Sequence, residues 1–121
     1  MEKFILNPTF ETPSILLDSE NGIIELSGRS LPEDTVHFYR PVLNWVDEFL
    51  LNPKPKTEIF IKLEYFNTAT SKVLLNLLSR FKKSQNVTVR WYYYEEDEDM
   101  LESGKEFEEL VNLPFSYHYL E

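Results

Sequence analysis

The stretch from Thr57 to Ser84 constrains the fold most, because a strand pattern changes there directly into a helix pattern. Residues 57–66 alternate imperfectly between apolar and polar side chains, which is typical of a mostly buried strand. From about Thr70 to Ser84 the apolar residues recur at helical spacing instead, at Val73, Leu74, Leu77, Leu78 and Phe81. A strand that passes so quickly into a helix predicts a βα unit, with the helix packed on a sheet.

The rest of the chain continues this alternation. Two apolar runs, Ser14–Asp18 and Ile23–Ser27, are separated by Asn21-Gly22, a dipeptide that favours a hairpin because both residues tolerate positive φ. The other predicted elements are a helix over about Pro32–Leu50, a strand over Val87–Tyr94, a helix over Asp97–Val111, a strand over Phe115–Leu120 and an optional short strand at Phe4–Leu6. This order predicts an α/β single domain over residues 1–121, with a mixed sheet of about five strands and about three helices.

The start of the first helix has its own signal. Ser30 is followed three residues later by Glu33, which is the spacing of a capping box, and Pro32 suits a first helical turn. We therefore expect Ser30 to cap this helix. Pro41 lies inside the helical pattern and predicts a kink or a delayed start of the regular helix.

Charge is distributed unevenly along the chain, whose formal net charge is -9. Residues 95–109 hold nine acidic residues against one lysine, whereas residues 54–90 hold eight basic residues against two acidic ones. The net acidity argues against nucleic-acid binding, which depends on neutralising phosphates. The asymmetry fits a protein that docks other proteins by charge-steered orientation, although a solvated acidic helix explains the acidic run equally well.

Cellular location is constrained only by absences in the sequence. No apolar run approaches the roughly 18 residues of a membrane span, and the first residues lack the basic and apolar regions of a signal peptide. There is no cysteine, which excludes disulfides, thiolate nucleophiles and thiolate metal sites. These features predict a cytoplasmic protein that does not insert into membranes.

Few residues are suited to enzyme chemistry. The only histidines, His37 and His118, are far apart and lack metal-ligand spacing, and three glycines are too few for a glycine-rich phosphate loop. The acidic run has no calcium-loop pattern. Trp91–Tyr94 is better explained by a strand with half of its rings in the core than by base stacking. We therefore predict a protein that is not an enzyme and that has no metal site, cofactor or nucleic-acid partner.

A cluster of small polar residues, Asn67, Thr68, Thr70 and Ser71, stands between the central strand and its helix. One interpretation is helix capping, in which Asn67 or Thr68 accepts hydrogen bonds from the first turn. The other is phosphorylation, because a helix N-terminus favours negative charge and Lys72, one turn along, is a possible partner for a phosphate. The residue types alone leave both interpretations open.

The segment Tyr65–Lys72 resembles the phosphoacceptor segment of SiaC-type regulatory phosphoproteins, bacterial proteins that are similar to STAS-domain anti-sigma-factor antagonists. The resemblance extends over nearly the whole chain and implies that the α/β domain has a STAS-like fold. Its other segments, in order, are Thr12–Ser14, Gly28–Glu33, Trp45–Leu50, Val89–Tyr92 followed by acidic residues, and Pro114-Phe115.

The resemblance implies that Thr68 is the phosphoacceptor of a partner switch in c-di-GMP signalling and biofilm formation. It implies a SiaB-like protein kinase, a PP2C-type phosphatase and, as the partner that binds the unphosphorylated form, a diguanylate cyclase or another effector. Asn67 and Lys72 would support the site, and Thr70 and Ser71 remain candidates for a second modification. The alternative is a constitutive interaction module or anti-sigma-factor antagonist that uses the acidic helix, with no phosphorylation.

Overall fold

The computed structural model describes all 121 residues and contains six strands and three helices. The strands are β1 (Phe4–Leu6), β2 (Ser14–Asp18), β3 (Ile23–Ser30), β4 (Thr57–Phe66), β5 (Val87–Tyr93) and β6 (Phe115–Tyr119). The helices are α1 (Thr35–Leu51), α2 (Thr68–Ser79) and α3 (Glu98–Val111).

All six strands form one sheet, in which the spatial order follows the chain order from β1 to β6. The first three strands pair antiparallel, and β3 to β6 pair parallel. The predicted hairpin is present, with Asp18 opposite Ile23 at its turn. The prediction of a mixed sheet with three helices is confirmed, and the optional strand Phe4–Leu6 raises the strand count from about five to six.

The three helices cover one face of the sheet. Right-handed crossovers between parallel strands that follow one another in space place their helices on the same side, and α2 packs against both α1 and α3. Strand residues that point to the helices are buried, as in the alternating pattern of β4. The opposite face carries polar and aromatic side chains, among them Arg90, whose Nη2 lies 2.6 Å from Glu58 Oε2, and Tyr92, whose ring stacks on His118.

The predicted cap of α1 is wrong. Asp34 caps the helix instead, since its Oδ1 accepts a hydrogen bond from His37 N at 3.1 Å. Ser30 is the last residue of β3 and is completely buried, with its hydroxyl engaged inside the protein. Aspartate caps a helix as well as serine does, and Asp34 lies closer to the helical pattern. The helix continues through Pro41 without a break in its helical backbone.

Helix α2 is shorter than predicted, because it ends at Ser79 rather than at Ser84. The next residues form tighter turns, in which Phe81 N bonds to Leu78 O at 3.1 Å and Lys82 N bonds to Ser79 O at 3.2 Å. Phe81 remains completely buried. The apolar pattern thus extends beyond the end of the α-helix, because the turn that follows buries Phe81, the last apolar residue of the pattern.

Helix α3 approaches the sheet closely at Gly104. A Cβ atom added there would lie 2.7 Å from the indole ring of Trp91, so only glycine fits without displacement. The Trp91 Nε1–H donates to Met100 O at 2.9 Å, which satisfies the one polar group of this buried ring. None of the three helices has the length and apolarity that crossing a membrane requires.

Candidate functional site

The candidate site is the first turn of α2, at the carboxyl edge of the parallel strands. Asn67 directly follows β4, and its backbone N–H donates to Ser30 O, the last residue of β3, at 3.1 Å. Loops and helix starts at this edge of an open α/β sheet are the usual location of binding sites. The hydrogen bond fixes where the chain leaves the sheet and therefore where α2 begins.

Asn67 is the N-cap of α2. Its Oδ1 accepts a hydrogen bond from Thr70 N at 2.8 Å, and its backbone carbonyl accepts from Ser71 N at 3.0 Å. Its extended backbone, with φ −85° and ψ 174°, is the conformation expected of a cap residue. Of the two residues considered for capping, Asn67 is therefore the cap, and Thr68 is not.

Thr68 is the first residue of α2, and its side chain is exposed to solvent. Its hydroxyl makes no hydrogen bond within the protein, unlike the hydroxyls of Ser30 and Thr70. The first turn contains no acidic residue that would neutralise the positive end of the helix dipole. Thr68 therefore presents a free hydroxyl at a helix end that favours a negative charge.

Thr70, only two residues further on, is completely buried. Its Oγ1 donates to the backbone carbonyl of Ser30 at 3.2 Å and lies 2.9 Å from Ser30 Oγ. Ser30 Oγ in turn lies 2.6 Å from the hydroxyl of Tyr39, on α1. Ser30, Tyr39 and Thr70 form a buried hydroxyl cluster that joins β3, α1 and α2.

The protons of the hydroxyl cluster have a consistent assignment. Thr70 donates its only proton to the Ser30 carbonyl, so Thr70 Oγ1 accepts from Ser30 Oγ, and Ser30 Oγ accepts from Tyr39. Burial raises the pKa of Tyr39 to about 12, against a smaller lowering by the hydrogen bond to Ser30. All three hydroxyls are therefore satisfied and uncharged at neutral pH, which suits a structural role.

Ser71 and Lys72 face away from this cluster, toward α3. They line a groove of about 200 Å³ between α2 and α3. The other lining residues are Phe66, Leu75, Ser103, Glu106, Phe107 and Leu110. Ser71 is half-buried, whereas Lys72 is exposed and is in no ion pair. The groove thus begins one turn from Thr68 and has one free cation at its rim.

The other basic residues of this region do not form one continuous surface with Lys72. Arg80 is already engaged within the protein, because its Nε donates to Asp47 Oδ1 at 2.8 Å and its Nη1 donates to Asn76 Oδ1. It therefore ties α2 to α1. Lys83 lies beyond the end of α2, beside the loop at Lys54.

Helix α3 presents the acidic surface. Glu102, Glu106 and Glu109 are exposed and are in no ion pair. Glu108 points inward and accepts a hydrogen bond from the Tyr117 hydroxyl at 2.6 Å. Partial burial, with the hydrogen bond and charge of Glu108, raises the pKa of Tyr117 well above its ordinary value. No group of three or more His, Asp or Glu side chains is arranged to hold a metal ion.

The structural roles of Thr70 and Ser30 were missed by the sequence reasoning, although for Thr70 a signal was present. Extended back by one turn, the buried stripe of α2 through Leu74 and Leu77 passes through Thr70, whereas Thr68 is in phase with Lys72. For Ser30, the apparent capping box concealed its place at the end of a strand. Tyr39, the third member of the cluster, lies on the buried face of α1.

Comparison with known proteins places the whole chain in one group. The family model described as SiaC family regulatory phosphoprotein matches residues 6–120. A protein of Pseudomonas aeruginosa (strain UCBPP-PA14) is 30% identical over 112 residues, which cover 89% of each chain.

Solved structures of the same group are similar throughout. The crystal structure of diguanylate cyclase SiaD in complex with its activator SiaC, from Pseudomonas aeruginosa, contains a chain that matches with a TM-score of 0.90 and 27% identity, over 97% of this chain and 99% of that one. The crystal structure of apo-SiaC from the same organism matches with a TM-score of 0.84 and 29% identity, over 98% and 99% of the two chains.

Proposed function

This chain belongs to the SiaC family of regulatory phosphoproteins, and we propose that it is a non-enzymatic partner switch controlled by reversible phosphorylation of Thr68. In the cytoplasm, a SiaB-like protein kinase would add the phosphate and a PP2C-type phosphatase would remove it. The unphosphorylated form would bind and regulate a diguanylate cyclase, as SiaC activates SiaD in the related complex.

The observation that carries the proposal is the free, exposed hydroxyl of Thr68. A kinase must bring the hydroxyl of its substrate into its own active site, and a phosphatase must reach the phosphate afterwards. Thr68 meets both requirements, whereas Thr70 is completely buried and hydrogen-bonded. Ser71, half-buried at the rim of the α2–α3 groove, is the weaker candidate for a second modification.

Phosphorylation at Thr68 is compatible with the fold. A phosphate adds about 1.5–2 negative charges and three acceptor oxygens at neutral pH. The N-terminus of α2 has no acidic residue in its first turn, and Asn67 already caps it, so the phosphate would strengthen rather than replace the existing interactions. Lys72, four residues along, would supply a counter-charge. The modification would therefore change the surface and leave the domain folded.

The surface that phosphorylation would change lies one helical turn from the α2–α3 groove, whose rim begins at Ser71 and Lys72. This groove combines apolar side chains, Leu75, Phe107 and Leu110, with polar groups at its edge. A partner that packs over the first turn of α2 would desolvate Thr68. A neutral hydroxyl tolerates such burial, but a phosphate does so only when it is paired. Phosphorylation would thus weaken the complex.

The test is to incubate the protein with ATP and a SiaB-like kinase, to locate the modification by intact and tandem mass spectrometry, and to measure binding to a SiaD-type diguanylate cyclase by calorimetry. We expect one phosphoryl group on Thr68 and at least about tenfold weaker binding of the phosphorylated protein. Thr68→Ala should bind but resist phosphorylation. Ser71→Ala, the matched control in the same turn, should still be phosphorylated.

Two outcomes would contradict the proposal. The first is a modification that persists in Thr68→Ala, which would place the phosphoacceptor elsewhere. The second is equal binding of the phosphorylated and unphosphorylated forms, which would remove the switch even if the site is correct. Dephosphorylation by a PP2C-type phosphatase should restore the original affinity, which checks that the loss is reversible.

A constitutive interaction module that uses α3 is the second candidate. The exposed and unpaired carboxylates Glu102, Glu106 and Glu109 favour it. It expects that reversing these three charges to lysine abolishes binding while Thr68 phosphorylation has no effect. The phosphorylation switch expects the opposite order of effects, so the same calorimetric measurement separates the two.

A further inference from the structure

One partly buried arginine of the molecule has no acceptor for its guanidinium group. Arg29 is partly buried near the carboxyl end of β3 and is in none of the five ion pairs. Its Nε is the one buried side-chain nitrogen or oxygen that has no hydrogen-bond partner. Buried polar groups are almost always hydrogen-bonded, and an unsatisfied one costs free energy. An arginine left in this state therefore requires an explanation.

The surroundings of Arg29 hold the guanidinium in place without satisfying it. Its Cζ lies 5.2 Å from the ring centroid of Phe10 and 5.8 Å from that of Tyr65, so two aromatic rings flank it. Phe10 is 79% exposed and Tyr65 is 49% exposed. Together these three residues form an aromatic–arginine cluster that is open to solvent at its edge.

The local backbone is built to bring the cluster together. The pairing of β3 with β4 shifts by one residue between Gly28 and Arg29. Gly28 lies opposite Leu63, whereas Arg29 lies opposite Tyr65. Gly28 has a φ of +104°, which a residue with a side chain rarely adopts. Irregularities of this kind redirect a side chain and are frequent beside functional sites.

The backbone that carries the exposed ring of Phe10 is also anchored. It belongs to a turn closed by Thr12 N, which donates to Thr9 Oγ1 at 2.9 Å, and anchored by Leu31 N, which donates to Glu11 O at 2.6 Å. A large apolar side chain on an anchored turn loses little freedom when a partner covers it, so such residues make strong contacts.

We propose that the aromatic–arginine cluster of Phe10, Arg29 and Tyr65 binds a carboxylate side chain of the partner protein. Of the three guanidinium nitrogens, only Nε is buried without a partner, so the terminal Nη1 and Nη2 are the ones that a partner can reach. A planar carboxylate matches the parallel N–H donors of these two terminal nitrogens. Phosphate sites usually gather several cations, but the pockets that contain Phe10 and Tyr65 are lined by no lysine or further arginine. The inference rests on the proposed function, because it assigns this contact to the effector that the switch controls.

The test measures calorimetric affinity for a SiaD-type diguanylate cyclase in four variants. Arg29→Gln should bind about 10- to 100-fold more weakly, since it loses a charge-assisted pair. Arg29→Lys should also bind more weakly, because an ammonium group cannot form two parallel hydrogen bonds to one carboxylate. Phe10→Ala should lose several-fold. Lys54→Gln, which removes an exposed charge at the opposite edge of the sheet, is the matched control and should bind like the unchanged protein.

Thermal unfolding shows whether a loss of affinity comes from a lost contact or from a less stable fold. Arg29→Gln loses both an unsatisfied buried donor and two cation–π contacts, whose effects on stability are opposite, so its melting temperature should change little. If Arg29 had only a structural role, the substitution would lower the melting temperature clearly. If the unchanged protein binds and Arg29→Gln or Arg29→Lys binds equally well, this inference falls while the proposed function stands. If the unchanged protein does not bind the cyclase, both fall. A loss confined to the phosphorylated protein would assign Arg29 to the phosphate and overturn the carboxylate.

Discussion

Thr68 and Thr70 lie in the same turn of α2, yet their surroundings are opposite. The hydroxyl of Thr68 is exposed and makes no hydrogen bond, whereas that of Thr70 lies in a buried cluster with Ser30 and Tyr39. The two side chains are chemically identical. Their position around the helix axis, separated by about 200° for two residues, determines which of them a second protein can reach.

The comparison indicates how the proposed switch at Thr68 would separate stability from regulation. The hydroxyl cluster fixes the start of α2 from beneath, by joining it to β3 and α1, and Asn67 fixes it from the end. The exposed side of the same turn is consequently free to change its charge. If the two threonines exchanged roles, a phosphate would have to enter a buried, hydrogen-bonded site, and the modification would unfold the domain rather than change its surface.

The largest effect is expected when the buried cluster is charged by high pH. The pKa of Tyr39 is about 12 when folded, against an ordinary value near 10 when unfolded. A raised pKa means that its stabilising contribution is complete below pH 10 and is lost as pH rises from about 10 to 12. We expect a loss of about 2–3 kcal/mol in the free energy of unfolding across that range, measured by urea denaturation at several pH values.

The control for this effect is Tyr39→Phe. It lacks the hydrogen bond to Ser30 Oγ, so it should be about 1 kcal/mol less stable than the unchanged protein at pH 7. It cannot ionise, however, and its stability should fall less between pH 10 and 12. The two stability curves should therefore cross. Parallel curves would show that Tyr39 is not the group that titrates.

The second prediction removes the threonine end of the cluster. Thr70→Val keeps the shape of the side chain but loses the proton donated to the Ser30 carbonyl and the acceptor for Ser30 Oγ. We expect the free energy of unfolding to fall by about 1–2 kcal/mol. The loss is limited because Ser30 O still accepts a hydrogen bond from Asn67 N. Urea denaturation measures this fall.

The same variant should still be phosphorylated by the kinase in its folded state, because the cluster supports the site without taking part in it. Loss of phosphorylation in folded Thr70→Val, or a stability equal to that of the unchanged protein, would contradict the division of roles between the two threonines.

Much of the fold could be predicted because its signals are periodic. In residues 57–66 and after Thr70, the apolar residues are the ones that face the core, so their spacing reveals a strand in the first case and a helix in the second. The ends of the helices and strands were less predictable, because several neighbouring residues can each act as a cap. Ser30 and Asp34 both precede α1 as plausible caps, and only the pairing of β3 with β4 as far as Ser30 excludes the first.

The candidate site was predictable only in part for a related reason. The polar cluster from Asn67 to Ser71 marked the position, and helical phase contained the information that separates Thr68 from Thr70. Arg29 had no such signal, because its cluster joins a turn near the N-terminus to β3 and β4. Contacts between segments that are distant in sequence leave no period in the residues that make them.

The smallest effect is expected at Thr68 itself. Thr68→Val keeps a β-branched residue at the first helical position and removes a hydroxyl that bonds to nothing in the protein, so the free energy of unfolding should change by less than about 0.5 kcal/mol. Urea denaturation beside Thr70→Val gives the ratio of the two effects. Near equality would mean that the Thr68 hydroxyl also supports the helix, and the exposed side of the turn could then not change its charge without a cost in stability. A strong imbalance, together with complete loss of phosphorylation in Thr68→Val, would mean that one turn of helix carries both functions on its two sides.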